Sequence, residues 1–174
     1  MPLSLHAAFV PSALQMLGST RGLVDKAEAW CGEKGCSPGE LIGGRLIDDM
    51  LAFDYQVKSV AAHTHGAIEG VRAGTFSPDM TTPPDSFDAL RDSLDQATAA
   101  LNALEESEME DWIGRPMRFQ VPSFTLDFTA DDFLLSFSQP NFYFHAATAY
   151  DILRMKGLEL SKRDFLGRMR MAPN

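Results

Sequence analysis

Apolar side chains in this chain recur in alternating steps of three and four residues over three long stretches, and no other feature of the sequence narrows the fold as much. Val10, Ala13, Leu17, Thr20, Val24, Ala27 and Cys31 keep this step, with Phe9, Met16, Leu23 and Trp30 beside them. Leu46, Met50, Phe53, Val57, Val60, Thr64, Ala67 and Val71 repeat it, and Phe87, Leu90, Leu94, Ala97, Leu101 and Leu104 form the cleanest run. A helix of 3.6 residues per turn lines such positions up as one stripe, so each stretch predicts a long amphipathic helix with a face to bury. Pro11 suits the start of the first helix, Gly32 and Gly35 its stop, and Gly74 the end of the second.

The connections differ in kind. Ser37 to Ile42 reads as a short turn leading into the second helix. Thr75 to Asp85, rich in Pro, Ser and Thr, reads as a long surface loop, with Asp85 as the candidate cap of the third helix. Arg118 to Val121 and Phe124 to Phe128 alternate apolar and polar residues around Pro122-Ser123, which predicts a two-stranded hairpin. Thr129 and Asp132 resemble a capping box opening a fourth helix, which Pro140 then kinks or restarts, since an internal proline deletes a backbone donor. The expected architecture is an all-α four-helix bundle with a small accessory β-hairpin. The loop between the second and third helices would be its crossover connection.

A chain of 174 residues, 45% hydrophobic and 22% charged, suits one domain over 1–174. A net charge of -9 argues against a nucleic-acid or anionic-membrane partner. The C-terminal end reverses sign, with Arg154, Lys156, Lys162, Arg163, Arg168 and Arg170 against Glu159 and Asp164; residues 157–174 are read as a basic tail docked on an acidic body. No segment resembles a targeting signal or approaches the roughly 18 to 20 apolar residues of a membrane span, which places the protein in the cytoplasm. Cys31 and Cys36 are too few for a disulfide framework, and Cys31 continues an apolar seam as a buried thiol. Glycine-rich phosphate loops, nucleophile elbows and paired-cysteine zinc motifs are missing.

The chemistry-bearing stretch is Pro140 to Arg154, PNFYFHAATAYDILR. It sets Asn141 and His145 four residues apart, on one face of an otherwise apolar helix. A buried amide and imidazole need partners, so the stretch predicts either a polar site or a core network with Tyr143, Tyr150 or Thr148. Phe133, Phe137, Phe142 and Phe144 read as core, or as the walls of an apolar pocket.

Arg45-Leu46, Asp49-Met50, Gln56, the PNFYFH and AYDILR runs and the closing SKRDFLG resemble a domain-of-unknown-function family within the DinB/YfiT-like superfamily of candidate metalloenzymes, over about Leu3 to Gly167. The resemblance implies a four-helix fold, a homodimer, and a divalent metal, zinc or nickel, held by three histidines. One would come from the second helix and two from a His-x-x-x-His pair on the last. It also implies kinship with thiol S-transferases. Carried over by position, that pair falls on Asn141 and His145, and the second-helix ligand falls near Gln56. Neutral amides are poor zinc ligands, which leaves His145 as the one inherited metal candidate and no cofactor as the preferred reading. His63, seven residues after Gln56, shares its stripe, whereas His65 turns away. The candidate polar site is therefore His145, Asn141, Gln56 and His63. Its expected role is a degenerate metal site that binds a small molecule, or alternatively a metal- or thiol-dependent transferase or hydrolase working through His145.

Overall fold

The computed structural model describes residues 3–172 as a mostly helical protein carrying a small three-stranded sheet. Helix α1 spans Leu5–Lys34, opened by Ser4, whose hydroxyl accepts from the Ala7 amide at 3.1 Å, and closed by Gly35 in the left-handed conformation. Every seam residue of α1 is buried, so the three-four stepping is the packed face. Pro11 lies in the second turn rather than at the start, inside an unbroken helix. Cys31 and Cys36 are joined as a disulfide across a Cα–Cα distance of 5.0 Å, which corrects the expectation of a buried thiol. The turn at Gly35 folds the chain back so that the Cys36 amide donates to Cys31 O at 3.2 Å, and this brings the two sulfurs together.

Helix α2 is the single turn Pro38–Ile42. The second long helix starts later than its apolar stepping predicts, at Phe53 instead of Leu46. Residues 44–52 form a closed loop in which the Phe53 amide donates to Gly44 O at 2.9 Å and Arg45 donates to Met50 O. A side chain on Gly44 would come within 3.0 Å of Leu41 O and of the Lys156 stem, so the tight bend needs glycine there. From Phe53 the helix runs as α3 Phe53–Ala61, a wide π turn Ala62–Gly66 and α4 Ala67–Ala73.

Strand β1, Thr75–Phe76, follows at once and pairs in parallel with Arg118 and Phe119 of a later strand; the segment expected to be all surface loop thus begins as sheet and buries Phe76. Helix α5 covers Phe87–Asn102 and is capped by Ser86, whose hydroxyl accepts from Ala89 N, rather than by Asp85. A short α6, Glu106–Glu110, places Glu110 to accept the Leu5 amide at 2.6 Å, so it caps α1 from outside. Strands β2, Pro116–Val121, and β3, Phe124–Thr129, form the expected hairpin, in the order β1-β2-β3. Then come α7 Ala130–Asp132, a second π turn Phe133–Ser138, α8 Gln139–Met155 and α9 Lys162–Leu166. Pro140 neither breaks nor restarts the helix: the wide turn just before it absorbs the missing amide donor, and helical geometry continues.

Residue pairs fix how the long elements run. Arg91 on α5 bonds Glu28 at 2.6 Å while Arg21 reaches Asp95, so α5 runs opposite to α1. Phe9 packs on Phe142, and Gln56 meets His145 while His63 meets Phe137, so α8 runs opposite to α3. The C-terminal end docks through Leu158, Leu160 and Phe165, with Gln15 donating to Leu166 O at 2.7 Å. Its one ion pair among the described residues, Lys26 to Asp164, has the cation on the body and the anion on the tail, the reverse of the charge attraction expected. Among the described residues no helix is long and apolar enough to cross a membrane.

Candidate functional site

Antiparallel packing of α3 against α8 brings Gln56 to His145, and this pair sets the chemistry. Gln56 is 2% exposed. Its Nε2 donates to Leu51 O at 2.8 Å, and because a carbonyl can only accept, the amide oxygen must be the atom facing His145. That oxygen lies 2.7 Å from His145 Nδ1, which must therefore carry the ring proton. Nε2 of His145 is left as a lone pair, with no protein partner among the described residues and not sealed from solvent.

His63 stacks on this ring, with centroids 5.6 Å apart and planes 14° from parallel. Its Nδ1 is buried without a partner. A donor sealed there would cost more than a lone pair, so the proton sits on the outer Nε2. The two rings thus offer one acceptor and one donor. Burial holds both below the ordinary histidine range, His63 at about 4 with the neighbouring His145 adding to the effect, and His145 at about 4. Both are neutral at pH 7. The surroundings are aromatic: Phe76 and Phe137 flank His63, and Tyr55 and Phe144 meet His145 edge-on.

The other expected members go elsewhere. Asn141 faces the same side of α8, but its Nδ2 donates to Phe137 O at 2.7 Å, supporting the π turn instead of joining the imidazole. The amide beside His145 is Gln56. Thr148 bonds its own helix at Phe144 O, Tyr150 packs on Phe165, and Tyr143 is exposed, so none belongs to the network. Phe144 is 56% exposed, whereas Phe133 and Phe142 are core. Asp49 is exposed and Arg45 holds the preceding loop. Asp54, next to Tyr55, is raised by burial, with its own helix start and Arg45 opposing.

Three histidines on one metal do not fit these side chains. Two imidazoles are present, the amide is spent on orienting one of them, and among the described residues no three His, Cys, Asp or Glu side chains gather as a metal would require. The bond from Gln56 to His145 orients the imidazole, so the amide serves orientation. Periodicity placed Gln56 and His63 on one stripe. It could not show the Gln56–His145 bond, which joins residues 89 apart in sequence.

A second constellation carries no signal in the sequence. On the other side of α3 and α4, Lys58, His65 and Glu69 line an open cavity of about 570 Å³ bordered by the loop from Ser77 and by α5. Nζ of Lys58 is nearly buried and donates to Thr81 O at 2.6 Å, Thr81 Oγ1 at 2.9 Å and Asp79 O at 3.2 Å, with Asp79 Oδ2 at 3.0 Å as its counter-charge. Lys58 falls between the seam positions Val57 and Val60, and nothing in the local pattern marks it.

Over residues 5–166 the chain matches the domain of unknown function DUF1993, and it belongs to that family. The crystal structure of a DinB family member protein from Shewanella denitrificans is similar over 97% of this chain and 96% of that one, at 26% identity and a TM-score of 0.79. No curated protein matches. The chain is a DinB-like domain of unknown function, with no specific function established.

Proposed function

We propose that Gln56, His145 and His63 form a metal-poor site that binds a small, uncharged, largely apolar molecule, one whose hydrogen-bond donor meets Nε2 of His145. The tautomer imposed by Gln56 carries this reading: it leaves an unpartnered lone pair beside exposed Phe144 and half-buried Tyr55. Neutral rings favour an uncharged ligand, because an ion there would meet no opposite charge. Thermal-shift screening of untagged protein against small alcohols, phenols and thiols, alongside metal analysis, tests this. Stabilisation that His145→Ala removes is the expected result. Stoichiometric zinc or nickel in the purified protein overturns the metal-poor part.

The same lone pair supports a second reading, a DinB-like transferase or hydrolase in which His145 accepts a proton from a bound thiol or water. Turnover of an electrophile–thiol pair, abolished by His145→Ala while binding survives, separates the two. In this reading the helices α1, α3 with α4, α5 and α8 make a four-helix bundle, the stretch 74–86 its crossover, and the whole chain one domain. Likeness to the DinB family member supports that arrangement. A homodimer follows from the superfamily resemblance, and light scattering of the purified protein checks it. A cytoplasmic location would keep Cys31 and Cys36 as thiols in the cell, which thiol trapping in intact cells checks.

A further inference from the structure

We infer that the cavity on the far side of α3 and α4 is a second binding site, for an uncharged, hydroxyl-rich molecule of sugar size. Its volume, about 570 Å³, lies in the range of small-molecule sites. Its walls are set in advance. Lys58 saturates its three donors on Asp79 and Thr81, and Asp79 Oδ1 accepts the Thr81 amide at 2.9 Å, so the loop stands away from α5 instead of collapsing onto it.

Glycine supplies the second line of argument. Both Gly66 and Gly70 line the cavity. At Gly70 an added Cβ would lie 3.0 Å from Phe76, so the packing of β1 demands glycine there. At Gly66 the backbone is ordinary right-handed helix, and an added Cβ would touch Ala61 O, Ala62 Cβ and Phe76 Cε2 no closer than 3.9 Å. Glycine inside a helix is unfavourable relative to alanine, and the fold does not require it at this position. What an alanine there would take is cavity space, since all three of those neighbours line it.

The lining chemistry selects the ligand class. Lys58 is neutralised by Asp79, and Glu69 shares Arg72 with Glu108, so no unpaired cation faces the space. Ser93 and Gln96 on α5 make no hydrogen bond among the described residues, and the Glu69 carboxylate adds acceptors. Groups that both donate and accept, with no unpaired cation among them, match hydroxyls rather than phosphates.

The test is titration of the ¹⁵N-labelled full chain with glucose, N-acetylglucosamine, trehalose and inositol, with glucose 6-phosphate and glucosamine as charged counterparts. At least one uncharged probe is expected to shift the His65, Gly66 and Gln96 amide signals saturably in the millimolar range. Gly66→Leu is expected to weaken that binding about tenfold or more and Gln96→Ala severalfold. Gly66→Ala, expected to melt no lower than the parent, keeps the result readable should the leucine variant fail to fold: it must weaken binding too. No saturable shift with any uncharged probe overturns the inference. So does binding unchanged in Gly66→Ala, tighter binding of a charged counterpart, or shifts confined to His145 and Phe144. Because that last pair belongs to the opposite face, this site and the His145 site can fail separately.

Discussion

The two faces of the helical stretch from Phe53 to Ala73 solve the burial of polar groups in opposite ways. On one, neutral imidazoles and a single amide sit among aromatic rings, one ring nitrogen is sealed without a partner, and another keeps its lone pair free. On the other, a lysine is taken from water against a half-exposed aspartate, and every donor of the lysine is satisfied by one loop. His63 and His65, two residues apart in the π turn, look into one face each. The first arrangement stores unused hydrogen-bonding capacity, which suits a site. The second uses all of it, which suits a frame, and its cavity is the open space that the frame borders.

Acid should break the first face and spare the second, and this is the largest effect expected. His63 and His145 titrate at about 4 in the folded protein against 6.5 for an ordinary histidine. Between those values the unfolded chain takes up protons that the folded protein refuses. The stability at stake is therefore complete above pH 6.5 and lost as pH falls toward 4, on the order of 3 kcal/mol per histidine. Asp79, held at about 2 mainly by Thr81 and then Lys58, stays ionised throughout that window. Denaturant melts against pH should show the loss in the parent and a flatter curve in His63→Phe/His145→Phe. The Thr81 amide signal should not move until lower pH.

Lys58→Met reverses the comparison. It removes all the bonds from Lys58 to the loop and leaves the Asp79 and Thr81 carbonyls to find water, for an expected loss of about 2–3 kcal/mol, moderated because Asp79 is half exposed. Hydrogen exchange should rise in residues 77–84 and stay unchanged at His145. Gln56→Leu is the smaller counterpart on the first face. Leucine fills the space, but His145 Nδ1–H and Leu51 O lose their partner, costing about 1–2 kcal/mol and freeing the ring to change tautomer. Histidine ¹⁵N shifts report that tautomer directly. An unchanged protonated Nδ1 in Gln56→Leu would contradict the orienting role.

The helical stripes were legible because burial and the 3.6-residue period are local facts, and every position of the α1 and α5 seams is buried. Helix two misled at Leu46 and Met50, which continue the apolar step but lie in a loop closed by the Phe53–Gly44 bond, a contact that periodicity does not encode. Phe76 shows the same limit: a two-residue strand pairing with a partner more than forty residues later leaves no local pattern. Of the site, His145, Gln56 and His63 were legible as an inward stripe, and Asn141 was assigned to it because i, i+4 spacing fixes a face without fixing which carbonyl an amide reaches. Lys58 was missed because a buried lysine reads as a solvated one until its loop is in place.

The finest test of the comparison is a pair of alanines one helical turn apart. Gly66 and Gly70 lie on the same cavity wall, yet only Gly70 is held by packing, with Phe76 waiting 3.0 Å from an added methyl group. Gly70→Ala must push β1 away, which loosens the ring that also flanks His63, so it should lower stability and disturb both faces at once. Gly66→Ala meets nothing closer than 3.9 Å and should gain about 0.5–1 kcal/mol from helix propensity alone. Equilibrium denaturation of the two variants decides it. A destabilised Gly66→Ala would mean that the π turn itself needs glycine, and the open space above it would no longer be evidence of a site.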